Sequence, residues 1–260
     1  MHELAGILDL GANPIDEQTF RQSCKAQLDR DGALVLRGFL KASAVDAIKR
    51  EGESNADRAF YCEQNHNVYL CPSDDRFAPE HPRNHQVVSS KGCITDDQIP
   101  ADSVLHSLYD SESLKSFFCH VLGEQALYEY ADPLSSINLH YADAGKELGW
   151  HFDNSSFAIT LLIQKPEGGG AFEYVRDLRD ADAGELNFEG VSKVLAGEIP
   201  VVSASVEEGD LMLFRGRNSM HRVTPTEGET TRMLVVLAYN NQPGVALSES
   251  ARMTFYGRLN

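Results

Sequence analysis

The sequence predicts an α+β chain with a mainly β core: a double-stranded β-helix, that is, a jelly-roll or cupin-like fold, flanked by N-terminal helices. Three observations carry this prediction. From Ala126 onward, short apolar runs recur between turn signals, the pattern of a double sheet of short strands. Ahead of Ala126 the apolar residues fall mostly at helical spacing. No internal repeat, low-complexity tract or linker interrupts the chain. Residues 1–260 therefore read as one domain, with 1–125 a mostly helical flank and 126–260 the jelly-roll core.

In chain order, Phe20, Cys24 and Leu28 make 16–29 a helix, which Asp31-Gly32 ends. Residues 32–40 form an apolar run closed by glycine and read as a strand. Ser43 is placed to cap a second helix running to about Asn55, with Val45, Ala47 and Ile48 on its apolar side. Residues 61–100 are rich in Pro, Asn, Asp and Ser, which predicts loops with short strands such as 67–70. His66, His81 and His85 in this stretch read as solvated loop residues, His85 being the one that precedes an apolar pair. Residues 103–122 read as two helices meeting near 110–112 and stopped by Gly123, with His106 and His120 structural. Strands are then expected at 127–130, 136–141, 157–164, 170–175, 201–206, 211–214, 221–223 and 233–239. Asp132-Pro133, Glu208-Gly209-Asp210 and similar turns separate them. Residues 177–198 interrupt the series with a short helix at 191–195, expected as a lid or decoration near the site mouth.

Composition narrows the function. With 42% hydrophobic and 24% charged residues, the chain matches an ordinary globular protein. A net charge of -16 argues against nucleic-acid or anionic-membrane partners, which need a positive surface. The five cysteines have no zinc or redox spacing and read as reduced thiols, so a cytoplasmic location is expected. Glu3 and Asp9 stand where a signal peptide would be basic and then apolar, so none is expected. No apolar run approaches the ~20 residues of a membrane span, and nothing in the sequence sets an oligomeric state.

The chemistry centres on Gly149-Trp150-His151-Phe152-Asp153-Asn154. In an extended strand, residues i and i+2 share a face, so His151 and Asp153 can offer a nitrogen and an oxygen to one point. His221 supplies a second imidazole downstream. Two His and one carboxylate on one side of a metal, with open positions opposite, is the arrangement of non-haem Fe(II) oxygenases. Alone, a His-x-Asp pair is common and can be purely structural; the distal His and Arg232 make the metal reading the stronger one. Arg232 sits in an apolar strand, where a lone charge is costly unless paired, and a guanidinium there can clamp a carboxylate. Thr160 on the strand after the motif, and Asn138 or Tyr141 on the strand before it, are candidates to hydrogen-bond the same ligand. A one-residue register change would swap which of these face inward.

The His-x-Asp, distal His and Arg order resembles the Fe(II)/2-oxoglutarate-dependent dioxygenase superfamily. Residues 150–157, Gly168-Gly169-Gly170-Ala171-Phe172-Glu173-Tyr174-Val175 and Phe214-Arg215-Gly216-Arg217-Asn218-Ser219-Met220-His221 go further. They resemble the bacterial branch of free-amino-acid halogenases and their hydroxylase relatives, most strongly over residues 135–258. The resemblance implies His151, Asp153 and His221 as iron ligands and Fe(II), 2-oxoglutarate and O2 as cofactor and co-substrates. It also implies a small amino-acid-like substrate. Halogenases of that branch replace the metal carboxylate with Gly or Ala, so Asp153 implies a hydroxylase. Trp150, Asn154, Glu173 and Arg215 are candidate substrate contacts. Halogenase, desaturase or epimerase outcomes from the same centre, and a non-catalytic cupin-like metal-binding sensor, are the alternatives.

Overall fold

A computed structural model describes residues 4–260; Glu3, used above in reading the N-terminal stretch, lies outside the described residues. Helices α1 (Leu4–Ile7) and α2 (Gln18–Asp31) lead into strand β1 (Ala33–Leu36) and helix α3 (Ala42–Asn55). Gly32 ends α2 in the left-handed region, as expected of a C-terminal glycine. Helix α3 begins after Lys41 with no side-chain cap, so Ser43 does not cap it: the helix already includes Ala42.

The segment 61–100 departs most from expectation. It is a long antiparallel hairpin of β2 (Phe60–Asn67) and β3 (Gln86–Ile94), joined by a loop. Residues 67–70 are the end of β2 and a turn, not a strand of their own. The run Phe60–Asn67 is polar and largely uncovered, so it lacks the apolar signature of a strand. Its pairing with β3 supplies the order instead.

Helices α4 (Val104–Tyr109) and α5 (Glu112–Leu122) follow as expected. The Ser103 and Ser111 hydroxyls accept hydrogen bonds from the Leu105 and Leu114 amides and cap the two helices. The barrel strands are β4 (Ile137–Ala142), β5 (Leu148–His151), β6 (Ala158–Gln164), β7 (Gly168–Gly169) and β8 (Phe172–Val175). After helix α6 (Phe188–Leu195) come β9 (Val202–Ala204), β10 (Leu211–Phe214), β11 (Met220–Val223), β12 (Thr226–Glu227) and β13 (Arg232–Leu237). Residues 127–130 contribute only an isolated bridge from Tyr128 to Asn240. A closing helix, α7 (Glu249–Tyr256), was not foreseen.

The main sheet runs β1-β10-β6-β13-β4-β3-β5-β11-β8-β9, with β2 on β3 and β7–β12 as a separate pair. Every pairing is antiparallel. This curled sheet is the jelly-roll core. Its outer face carries Leu139, Leu161, Leu213 and Val235, which join Leu28, Ile48, Phe117 and Phe118 of the helices in one buried cluster. Burial of such side chains stabilises the fold by roughly 1.5–3 kcal/mol each. A second cluster joins Trp150, Phe152 and Met220 to Val191 and Val194 of α6 and to Val68 and Tyr69 of the hairpin loop. The 177–198 insertion therefore packs behind the His151 strand. No helix among the described residues is long and apolar enough to cross a membrane.

Candidate metal centre

His151 on β5 and His221 on β11 are direct partners across an antiparallel pair. Directly opposed residues put their side chains on the same face, and here the ring centroids are 4.2 Å apart. Asp153 lies just past the end of β5. Its amide donates to the Gly216 carbonyl (3.1 Å) and that of Phe152 to the Val68 carbonyl (2.8 Å). These bonds aim the Asp153 carboxylate at the imidazoles. Oδ1 is 3.7 Å from His151 Nε2 and 3.5 Å from His221 Nε2. One donor atom from each of the three residues falls within 4.8 Å of the others.

The tautomers follow from the second bond of each ring. His151 Nδ1 lies 2.7 Å from the Gly149 carbonyl and His221 Nδ1 3.0 Å from that of Ser219. A carbonyl only accepts, so both Nδ1 atoms carry hydrogen and each neutral ring turns an Nε2 lone pair toward Asp153. Burial, then the neighbouring His221, push the His151 pKa down. Burial alone would raise that of Asp153, but His221 and His151 hold it below the usual range. Two lone pairs and a carboxylate oxygen meeting in a buried place oppose one another unless a cation joins them. The donor set thus fits a divalent metal, with the carbonyl acceptors orienting the rings as in known metal sites.

These residues line a cavity of about 290 Å³ with Thr160, Phe172, Met212, Phe214 and Arg232. A wider open groove along Asp177, Arg179 and Asn218 contains none of the triad. Arg232 is 9% exposed and has no ion pair among the described residues. Burial alone lowers its pKa, to about 10. Thr160 stands opposite Val236, two residues along β13 from the cavity-lining Leu234.

The other sequence candidates sort by face. Tyr141 pairs with Met233 on the outer, helix-covered side, and its hydroxyl donates to the Gly52 carbonyl, so it does not line the cavity. The neighbouring His140 points inward in its place. Asn138 spends its amide on the Leu134 and Ile137 carbonyls and its oxygen on Tyr256. Trp150 is turned to the outer cluster, with the Arg222 guanidinium 4.8 Å from its ring. Glu173 pairs with Arg222 at 2.7 Å, and Arg215 pairs with Asp29. None of these is presented to the triad. Asn154 does line the outer part of the site.

Sequence reasoning missed four residues. His66 is a half-buried strand residue, not a solvated loop histidine. Its Nδ1 donates to the Asn67 carbonyl, and its Nε2 accepts from Ser89 Oγ at 2.6 Å. Ser89 Oγ also accepts from the Gly149 amide, which ties the hairpin to the residue that orients His151. Lys91 lies on the same cavity wall. The half-buried alternation Cys62, Gln64, His66 is the signal that strand pairing would have exposed. Gly216 is the fourth: a Cβ there would stand 1.8 Å from Asp153 Oδ2. His81 instead stacks on Phe77, with centroids 4.4 Å apart, and His85 lines neither the cavity nor its outer extension.

Comparison with known proteins places this geometry. The family described as Halogenase D matches residues 15–254. The epimerase SnoN from nogalamycin biosynthesis, solved with Fe3+, α-ketoglutarate and nogalamycin RO, has a TM-score of 0.58 at 14% identity. That alignment covers 86% of this chain and 84% of SnoN. A 2OG-Fe(II) oxygenase family oxidoreductase from Burkholderia pseudomallei gives 0.54 at 14% identity, covering 86% and 92%. AviO1 from Streptomyces viridochromogenes Tue57 gives 0.55 at 16%, covering 88% and 97%. Identities this low show the shared fold. No curated protein matches the sequence. With all but its ends matched, the chain belongs to the Halogenase D family and is a non-haem Fe(II)/2-oxoglutarate-dependent dioxygenase.

Proposed function

We propose that the enzyme hydroxylates an unactivated C–H bond of a small, amino-acid-like molecule, releasing succinate and CO2, with residues 1–260 acting as one catalytic domain. One observation carries the reading: a single cavity contains the three converging donors and an unpaired guanidinium. His151 and His221 would hold Fe(II) through Nε2 and Asp153 through its carboxylate, leaving the far side free for 2-oxoglutarate and O2. The bound iron supplies oxidising power that no side chain offers. The protein's part is placement. The Gly149 and Ser219 carbonyls keep both imidazoles in the ligating tautomer. Arg232 would donate to the distal carboxylate of 2-oxoglutarate, with the Thr160 hydroxyl beside it. Phe172, Met212 and Phe214 exclude water around that contact.

The family description raises halogenation as a second reading. Asp153 favours hydroxylation, because its carboxylate takes the side of the metal that a halide would need. The test is oxygen-dependent succinate release with Fe(II) and 2-oxoglutarate across a panel of amino acids, with mass spectrometry of each. The expected result is stimulated succinate and a product heavier by one oxygen. A loss of two hydrogens would indicate desaturation, and a gain of chlorine would indicate halogenation. Neither succinate nor bound iron would leave the non-catalytic module. Asp153→Ala is expected to reduce turnover to about 1% or less, beyond the 10–100-fold typical of outer-sphere changes. Full turnover in that variant would remove Asp153 from the ligand set.

A further inference from the structure

The cavity holds a second cation that no carboxylate among the described residues pairs with. Lys91 on β3 lines both the inner cavity and an outer extension of about 280 Å³. Arg232 lines the inner cavity and a pocket of about 190 Å³ that Lys91 does not reach. The two positive groups therefore mark different parts of one space. Lys91 Nζ is 3.0 Å from His140 Nε2 and 5.5 Å from the centre of the Phe255 ring. Burial, then the charges of Lys91 and Arg232, push the His140 pKa well down, so the neutral ring is the acceptor. Burial also lowers the pKa of Lys91. No carboxylate pairs with it among the described residues. An ammonium carries three N–H donors. His140 takes one, which leaves donors on a half-buried charge without a protein acceptor, a costly arrangement without a counter-ion.

The walls carry a second message. Among the described residues that line the cavity and its outer extension, Asp153 is the sole carboxylate, and the metal reading commits it. The remaining polar groups near the mouth are neutral, among them Gln64, Ser89, Asn154 and Ser155. A basic side chain entering here would find no acidic residue to receive it.

We propose that Lys91, oriented by His140 and Phe255, binds the carboxylate of the substrate, and that the substrate is a carboxylic acid with an uncharged side chain. This deepens the oxygenase reading and rests on it. Arg232 then serves the co-substrate and Lys91 the substrate, one cation for each carboxylate.

The test follows succinate release with Fe(II), 2-oxoglutarate and a defined set of probes. These are L-leucine, L-norleucine and L-phenylalanine, their amides, and L-lysine and L-arginine. The expected result is stimulation by a neutral acid, with its amide and the basic amino acids poorer by about tenfold or more. Lys91→Met should raise the half-stimulating concentration of that acid about 10–100-fold, the worth of a hydrogen bond to a charged group. The 2-oxoglutarate requirement should move by less than about threefold on the same scale. Lys91→Arg should recover part of the loss, and thermal melts of both variants establish that they fold. The proposal is overturned if Lys91→Met shifts the 2-oxoglutarate requirement instead, since Lys91 would then serve the co-substrate. It is overturned equally if amides match the acids, if lysine or arginine stimulates best, or if no neutral acid stimulates while background turnover continues. Absence of both iron and turnover in the wild type is a different result and would take down the oxygenase reading itself.

Discussion

The two walls of the cavity are built differently. One is the inner face of β6, β10, β13 and β4, central strands bonded on both sides and backed by the helical core. Its cavity face is mostly apolar, with Thr160, His140 and Arg232 as fixed polar points. The other wall is β5 and β11, extended by the β2–β3 hairpin, in which β2 has a partner on one side only. That wall presents Gln64, His66, Ser89 and Lys91, and its outer strand is largely uncovered. An apolar wall backed by the helical core, with one guanidinium, would suit a ligand that never changes, as proposed above for the co-substrate. A polar wall at a sheet edge suits the ligand that sets specificity.

The largest test of that contrast is Arg232→Met. If the buried wall serves 2-oxoglutarate, the half-saturating concentration should rise about 100-fold or more, as for losing one partner of a buried charged contact. The half-stimulating concentration of substrate should move far less. A reversed pattern would exchange the roles of the two walls. Next comes Gly216→Ala, at the seam between them. Its Cβ would stand 1.8 Å from Asp153 Oδ2, so the carboxylate must swing away. Misplacing a reacting group by about 1 Å costs on the order of 100-fold, and iron affinity should fall with turnover. Thermal stability should change little by comparison, because the clash is with a side chain at the cavity. Unchanged iron affinity would mean that Asp153 has another orientation open to it.

A smaller effect is expected on the hairpin side. Ser89→Ala removes the hydroxyl that accepts from the Gly149 amide and donates to His66. This support lies one residue beyond the metal-ligand set, so iron affinity should fall about 10-fold. A loss of iron affinity beyond about 100-fold would mean the hairpin wall belongs to the metal site itself.

The same contrast explains what could be read from sequence. Strands β6 and β13 are apolar runs between turns, and α5 has an apolar stripe ending at Gly123, so the buried wall and its backing were legible. Arg232 was legible for the same reason, as a charge where none belongs. The hairpin was not: Phe60–Asn67 alternates half-buried with exposed residues and has no apolar run, so His66 passed for a loop residue. At the seam, chemistry outran register. Tyr141 and His140 are adjacent on β4, and pairing with β13 alone decides that His140 faces the cavity. Trp150 and Glu173 failed likewise, one position off the inward face. Ser43 is a good cap residue, but α3 already begins at Ala42, with the Lys41 carbonyl engaged by the Ala44 and Val45 amides.

The smallest prediction separates stability from chemistry on the hairpin side. Beyond the end of β3, the Asp96 side chain is half-buried, with its Oδ1 shielded from solvent, unbonded and 3.9 Å from His106 Nδ1. Burial raises its pKa to about 6, and the carboxylates of Asp97, Asp110 and Glu129 add to this against the lowering effect of His106. A carboxyl whose folded pKa exceeds its unfolded value binds its proton more tightly in the folded state. Its stability contribution is therefore present at acid pH and is lost as pH rises from about 4 through about 6. Asp96→Asn removes that loss. The variant should gain about 1–2 kcal/mol over wild type above pH 6, with the gain shrinking toward pH 4. Succinate turnover should be unaltered, because Asp96 lines neither the cavity nor its outer extension. Urea denaturation at pH 4.5 and pH 7.5 reads the difference directly. A gain of equal size at both pH values would show that the carboxyl stays ionised, its cost being the unbonded oxygen alone. A fall in turnover would show that the segment following β3 is coupled to the site, and the two walls would then no longer be separable.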